Sequence, residues 1–209
     1  VSADSRQVYK GMNIGTGKIT KKEMKGIRHY LLDVVSPKKK FTVVDYKKLA
    51  LKAIKKIHQK NKLPFLVGGT GFYIQAVVDK IAIPKVKPNW KLRKKLEKLS
   101  AQELFEKLKK LDPKRAKNID RHNKRRLIRA IEIVKKLGAV PPLPSERHSL
   151  FDVLFIGVKK SSEELKKLIR KRLLERLKAG MLNEAKKLYK SGVSWKRMEE
   201  LGLEYRYMA

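Results

Sequence analysis

The sequence predicts an α/β fold: a parallel sheet flanked by helices, interrupted by an all-helical insertion domain. Three observations predict it. Short, fully apolar runs alternate with amphipathic stripes at helical spacing, the pattern of strand, helix, strand. A glycine cluster, Gly68-Gly69-Thr70-Gly71, follows directly on one of those apolar runs. Lys85 to Lys136 then abandons strand patterning for leucine stripes and dense positive charge. The expected layout is an α/β core of residues 1–84 and 137–209, with the insertion at 85–136.

The chain opens on a strand-like lead-in at Val1 that runs into Asp4-Ser5-Arg6-Gln7. At the C-terminal end of a strand, an α/β sheet presents side chains to a ligand crevice. Asp4 there is a candidate base, with Ser5 and Gln7 as hydrogen-bonding neighbours. Spacing alone favours a plainer reading, an ordinary strand-to-loop turn with Asp4 and Ser5 capping a helix or the turn that follows.

His29 to Val35 reads as a short buried strand closed by Ser36-Pro37. Thr42 is a helix N-cap with Asp45 three residues on, and Tyr46, Leu49, Ala53, Ile54 and Ile57 form the apolar stripe behind them. Leu63 to Val67 is an apolar strand. The glycines after it let the backbone approach a ligand and aim N–H groups at an anion, although such glycines also serve ordinary tight turns. Gly138 to Pro144 is a linker whose prolines forbid a continuous helix. Phe151 to Val158 returns to the strand pattern, and Ser161 with Glu164 forms a capping box for a helix reaching about Tyr189, interrupted near Gly180.

Charge narrows the partners. The 209 residues carry 54 Lys and Arg against 20 Asp and Glu, a net charge of +34. A surplus of that size points to a polyanion, nucleic acid first and an anionic membrane surface second. No apolar run approaches the length of a spanning helix and no signal peptide is visible. Between 85 and 136 there are 20 Lys and Arg against 6 Asp and Glu. In that stretch Leu92, Leu96 and Leu99 make one helical stripe. Ser100 and Glu103 cap a second, carried by Leu104, Leu108 and Leu111. In a third, Leu127, Ile128 and Ile131 face inward while Arg125, Arg126 and Arg129 share an exposed edge. A surface that grips phosphates is favoured there over a merely solvated face. There is no cysteine, and His29, His58, His122 and His148 form no ligand pair, so no residue is assigned to a metal.

Five motifs then occur in one order: Asp4-Ser5-Arg6-Gln7-Val8-Tyr9, Ile14-Gly15-Thr16, Phe41 to Tyr46, Leu66 to Tyr73, and Arg125 to Glu132. In that order the chain resembles the tRNA dimethylallyltransferases, also called tRNA isopentenyltransferases. The resemblance implies a P-loop NTPase-like core with a helical insertion that embraces the anticodon stem-loop. It implies transfer of a dimethylallyl group from dimethylallyl pyrophosphate to the exocyclic amine of the adenosine adjacent to the anticodon, with magnesium as cofactor. Carried over residue by residue, it makes Asp4 the base and Arg172 its catalytic companion near the substrate channel. The residues after Arg172 (Leu173-Leu174-Glu175-Arg176) depart from the family's Val-Asp-x-Met. Asp4, Ser5, Arg6, Gln7, Thr70, Arg93, Arg125, Arg126, Leu127, Ile128 and Arg129 become tRNA contacts, and Gly68, Gly69 and Gly71 lie on the pyrophosphate side. The expected protein is cytoplasmic and monomeric, without a membrane partner.

The family's Walker-type loop precedes the Asp-Ser-x-Gln motif, whereas three residues precede Asp4 here. The expectation is therefore a chain truncated at both ends, lacking the phosphate cradle and inactive alone. Two other readings stand beside this one. One is an adenylate isopentenyltransferase acting on a free adenine nucleotide, which would not need so basic an insertion. The other is a non-catalytic RNA-binding protein on a nucleotide-kinase-like core.

Overall fold

A computed structural model describes residues 1–79, 81, 83–141 and 151–209. The chain divides into two compact units, Val1–Lys80 with Ser149–Ala209, and Ile81–His148. His148 and the end of the Gly138–Pro144 linker lie outside the described residues.

The first unit contains α1 (Val43–His58) and α2 (Gly71–Val78). Thr42 caps α1 as its sequence spacing requires: its hydroxyl accepts from the Asp45 amide, and the Asp45 carboxylate accepts from the Thr42 amide at 2.9 Å. The stripe of α1 delivers Tyr46, Ala50, Ala53 and Ile54 to a core shared with Ala3, Leu31, Tyr73 and Val77. Tyr46 and Tyr73 stack with ring centroids 3.9 Å apart. Burial pushes both phenols up, that of Tyr73 to about 12, so neither ionises at neutral pH.

The regular elements of the second unit, among its described residues, are all helices. It holds α3 (Trp90–Glu97), α4 (Ala101–Leu111), α5 (Pro113–Lys117) and α6 (Lys124–Leu137). Asn89, Ser100, Asp112 and Asn123 each accept a first-turn amide and so fix the four starts. The leucine stripes then bury Leu96, Leu104, Leu108, Leu127 and Ile131 in one core.

The rest of the first unit is α7 (Ser162–Lys178), α8 (Met181–Lys190), α9 (Trp195–Glu200) and α10 (Leu203–Met208). Gly180, at φ +96°, makes the break between α7 and α8. The Ser161 capping box forms by half, because the Glu164 carboxylate pairs with Lys160 instead of returning to the Ser161 amide. Leu188, Val193, Met198, Leu201 and Tyr205 close over Val8, Tyr9 and Met12 in a separate core.

The expected parallel sheet is where the structure differs most from the expectation. Among the described residues it is reduced to two isolated parallel bridges, Ser2 with Val67 and Tyr9 with Val35. The His29–Val35 strand fails because Leu31 (φ +65°) and Asp33 (φ +55°) leave the extended region. Phe151–Val158 carries no bridge, and Leu154, Ile156 and Val158 are at least 80% exposed. Near-continuous apolar strands need cover on both faces. Leu63, Phe65 and Val67 have the composition for it but remain 66–75% exposed.

Candidate functional site

The short parallel pair sets the site of the first unit. The Val1 amine donates to the Phe65 carbonyl (2.7 Å), the Val67 amide to the Val1 carbonyl (3.0 Å) and the Ala3 amide to the Val67 carbonyl (2.7 Å). Both segments therefore end side by side, one running into Asp4 and the other into Gly68. The next bonds tie the two loops together. The Thr70 amide donates to the Ala3 carbonyl at 3.1 Å, and the Ser5 amide donates to Thr70 Oγ1 at 3.0 Å. Because that hydroxyl serves Ser5, Thr70 stands at the N-cap of α2 without capping it. Gly68 is required by this approach: a β-carbon there would lie 2.4 Å from the Ala3 carbonyl oxygen. Gly69 and Gly71 face open space.

Asp4 is half-buried and held through one oxygen only. Its Oδ1 accepts from the amides of Arg6 (2.7 Å) and Gln7 (3.1 Å), the turn-capping geometry that spacing favours. Oδ2 has no hydrogen bond among the described residues. The carboxylate is thus oriented by the backbone through Oδ1 alone. Gln7 Nε2 donates to the carbonyls of Gly17 (3.2 Å) and Thr16 (3.5 Å). Arg6 is half-buried beside Gly202.

The loop that receives Gln7 is anchored by residues that motif reading passed over. Glu184 Oε2 accepts from the amides of Asn13 and Ile14, both at 2.8 Å, and Oε1 accepts from the Gly15 amide at 3.1 Å. The Tyr205 hydroxyl donates to the same Oε1 at 2.6 Å. Burial, then this bond to Glu184, push the Tyr205 phenol far above its ordinary value. Lys18 is buried and donates to the Tyr9 carbonyl (2.6 Å), Asn13 Oδ1 (3.1 Å) and Asp33 Oδ1 (2.6 Å). Arg176 donates to the Gly15 carbonyl (3.2 Å) and pairs with Glu204 (3.1 Å), so its charge is committed to holding this loop. Arg172, one turn earlier on the same face of α7, is exposed. A usable signal was present: Glu184 lies three and four residues from Met181 and Leu188, an acid on an apolar stripe in a chain poor in acids.

In the second unit, Arg125 and Arg126 are exposed in the first turn of α6, beside Lys124 and with no acid in that turn. Cations at a helix N-terminus oppose its dipole, so this turn is primed for an anion. Leu127 and Ile128 are core residues, 0% and 7% exposed, because the 3.6-residue period turns them inward. Their side chains are closed to a partner. The exposed edge expected for Arg129 is also corrected. Its guanidinium bonds Glu132 and donates to the Val86 carbonyl at 2.9 Å. Arg93 makes a bidentate pair with the same carboxylate, at 3.0 and 2.7 Å, while lying 5.2 Å from the Trp90 ring centroid. The Asn89 amide adds a further bond to Glu132. Burial works to raise the Glu132 carboxyl, but these donors outweigh it and hold the pKa at about 2.

Comparison with known proteins gives this arrangement its context. The family model for IPP transferase matches residues 7–209. A tRNA dimethylallyltransferase of Halalkalibacterium halodurans is 39% identical over 92% of this chain and 64% of its own length. One from Syntrophus aciditrophicus is 39% identical over 100% of this chain and 69% of its own. The chain thus spans about two thirds of the length of the curated relatives it matches. Among solved structures, a tRNA isopentenylpyrophosphate transferase from Bacillus halodurans superposes with TM-score 0.67 at 37% identity, covering 99% of this chain and 66% of that one. A eukaryotic dimethylallyltransferase acting on tRNA gives TM-score 0.78 at 28% identity, covering 98% and 53%. With its family match, its identity to these relatives and its likeness to their structures, the chain belongs to the IPP transferase family.

Proposed function

We propose that the chain carries the base and the RNA-facing surface of a tRNA dimethylallyltransferase. In this reading the exocyclic amine of the adenosine adjacent to the anticodon attacks C1 of dimethylallyl pyrophosphate. The C1–oxygen bond breaks, pyrophosphate leaves, and the amine proton passes to Asp4. An adenine amine is a weak nucleophile, so a positioned carboxylate is what the reaction asks of the protein. The observation that carries the assignment is the half-coordinated Asp4, fixed through Oδ1 at the end of the parallel pair with Oδ2 open.

Around it, Ser5, Arg6, Gln7 and Thr70 line the adenosine, and Gly68, Gly69 and Gly71 lie toward the pyrophosphate. Arg172, on the α7 face that Arg176 anchors, meets the developing negative charge. Arg125 and Arg126 are direct phosphate contacts on the RNA surface of the 85–136 insertion, and Arg93 and Arg129 support that surface through their bonds to Glu132. Leu127 and Ile128 serve it by packing α6. The core of 1–84 and 137–209 is a P-loop NTPase-like α/β fold, a reading supported by the two parallel bridges and the likeness to family structures.

Magnesium is the ion that the resemblance implies. Among the described residues no three His, Asp or Glu side chains are grouped to hold a metal, and no step here runs through it. Among the described residues no helix is long and apolar enough to cross a membrane. We read the protein as a cytoplasmic monomer.

The test is single-turnover transfer with saturating tRNA, measured on the chain joined to the Walker-type loop that the resemblance implies. Asp4→Asn keeps the shape and the turn cap but not the proton acceptor, so the step slows about a hundredfold to ten-thousandfold while RNA affinity changes little. Near-normal transfer by this variant overturns the assignment.

A further inference from the structure

The Asn13–Gly17 loop meets the candidate site at the carboxamide of Gln7. Both carbonyls it offers there, Thr16 and Gly17, accept from Nε2. A carboxamide has one donor end and one acceptor end. With Nε2 committed to carbonyls, Oε1 is the end left over, and it has no hydrogen bond among the described residues. An acceptor suits an exocyclic amine and does not suit a ring carbonyl. The loop therefore sets which end of Gln7 a base meets.

The loop in turn takes its shape from one buried anion. Glu184 is 9% exposed and receives four donors, two on each carboxylate oxygen: the Asn13 and Ile14 amides on Oε2, the Gly15 amide and the Tyr205 hydroxyl on Oε1. The turn closes with the Gly17 amide on the Ile14 carbonyl at 3.0 Å and the Thr16 hydroxyl on the Met12 carbonyl at 2.6 Å. A β-carbon at Gly15 would lie 2.7 Å from the Tyr205 ring, so the loop is seated directly on this pair.

We infer that Glu184 is a positioning residue for adenine recognition: through the Asn13–Gly17 loop it holds Gln7 with its carbonyl oxygen toward the substrate amine. This rests on the adenosine reading under Proposed function. It assigns to α8 a share in base selection that lies 177 positions away in sequence from the residue it orients.

The informative change is Glu184→Gln. Each oxygen of Glu184 faces two donors, so whichever way the new amide is placed, its NH2 meets N–H or O–H groups. The readout is affinity for an anticodon stem-loop RNA carrying, at the target position, either adenosine or unsubstituted purine, which lacks only the amine. The parent chain prefers adenosine by about tenfold, the size one hydrogen bond confers. Glu184→Gln brings the two RNAs within about twofold, while the affinity for the purine RNA and its salt dependence stay as they were. In a Gln7→Ala background, Glu184→Gln costs no further preference, as coupling through that side chain requires. Tyr205→Phe removes one of the four donors and gives a partial loss, which keeps the test decisive if the Glu184 variant folds poorly. If the parent chain shows no preference, the adenosine reading falls and the inference with it. If the parent discriminates and neither variant loses preference, or if both RNAs weaken equally, Glu184 supports the fold alone and only the inference is overturned.

Discussion

Asp4 in the first unit and Glu132 in the second are carboxylates among cations, built in opposite ways. Glu132 is 2% exposed and has every approach filled, by the Asn89 amide, the bidentate Arg93 and Arg129. Asp4 is half-buried and engages two amides through a single oxygen. A fully coordinated carboxylate held at about pKa 2 is locked as an anion and cannot take a proton at neutral pH. One held by a single oxygen is aimed yet still able to accept. On the proposed reading, complete coordination marks the carboxylate that builds structure, and incomplete coordination marks the one that chemistry can use.

Exchanging each acid for its amide sharpens the contrast. The largest effect is on Asp4, where Asn abolishes most of the transfer step and, being a good turn cap itself, moves the melting temperature by little. Glu132→Gln reverses the pattern. It leaves Arg93 and Arg129 without their counter-charge and destabilises the second unit by about 3 kcal/mol, read by denaturant unfolding. The sign with pH comes from the depressed carboxyl. Its stabilisation is complete above the ordinary value of 4.5 and drains away as pH falls toward about 2. The parent chain should lose stability across that window and Glu132→Gln should be nearly flat there. Equal acid sensitivity in the two would mean that the pair contributes nothing.

A middle-sized effect tests the free cations against the committed ones. Reversing Arg125 and Arg126 to Glu should weaken stem-loop binding alike across RNA sequences and reduce the salt slope by about two. Arg129 is unsuitable for that experiment, since reversing it unpairs Glu132. Unchanged binding would move the RNA surface away from α6. Thr70→Ala should have the smallest effect. It removes the acceptor for the Ser5 amide and costs about 1 kcal/mol, which Thr70→Ser restores. No shift in melting temperature would show that water replaces the hydroxyl.

Local chemistry was legible from residue order. Caps at Thr42 and Ser100, the leucine stripes of the second unit and the break at Gly180 depend on contacts within a few residues, which spacing encodes. The turn hydrogen bonds of Asp4 and the close approach at Gly68 were likewise readable, because a side-chain cap and a tight backbone contact leave short motifs. Pairing across the chain was not. Strand composition in 29–35 and 151–158 states only that a segment tolerates extension, and whether it pairs depends on a neighbour far away in sequence. The same limit separated Arg125 and Arg126 from Arg129 on a helix where all three read as equal. A guanidinium is free or spent according to where a buried carboxylate lies, and residue order placed Glu132 only as the last letter of a motif. Glu184 repeats the point over a longer reach: three loop amides and a phenol converge on it from 21 to 171 positions away, a convergence that packing alone creates.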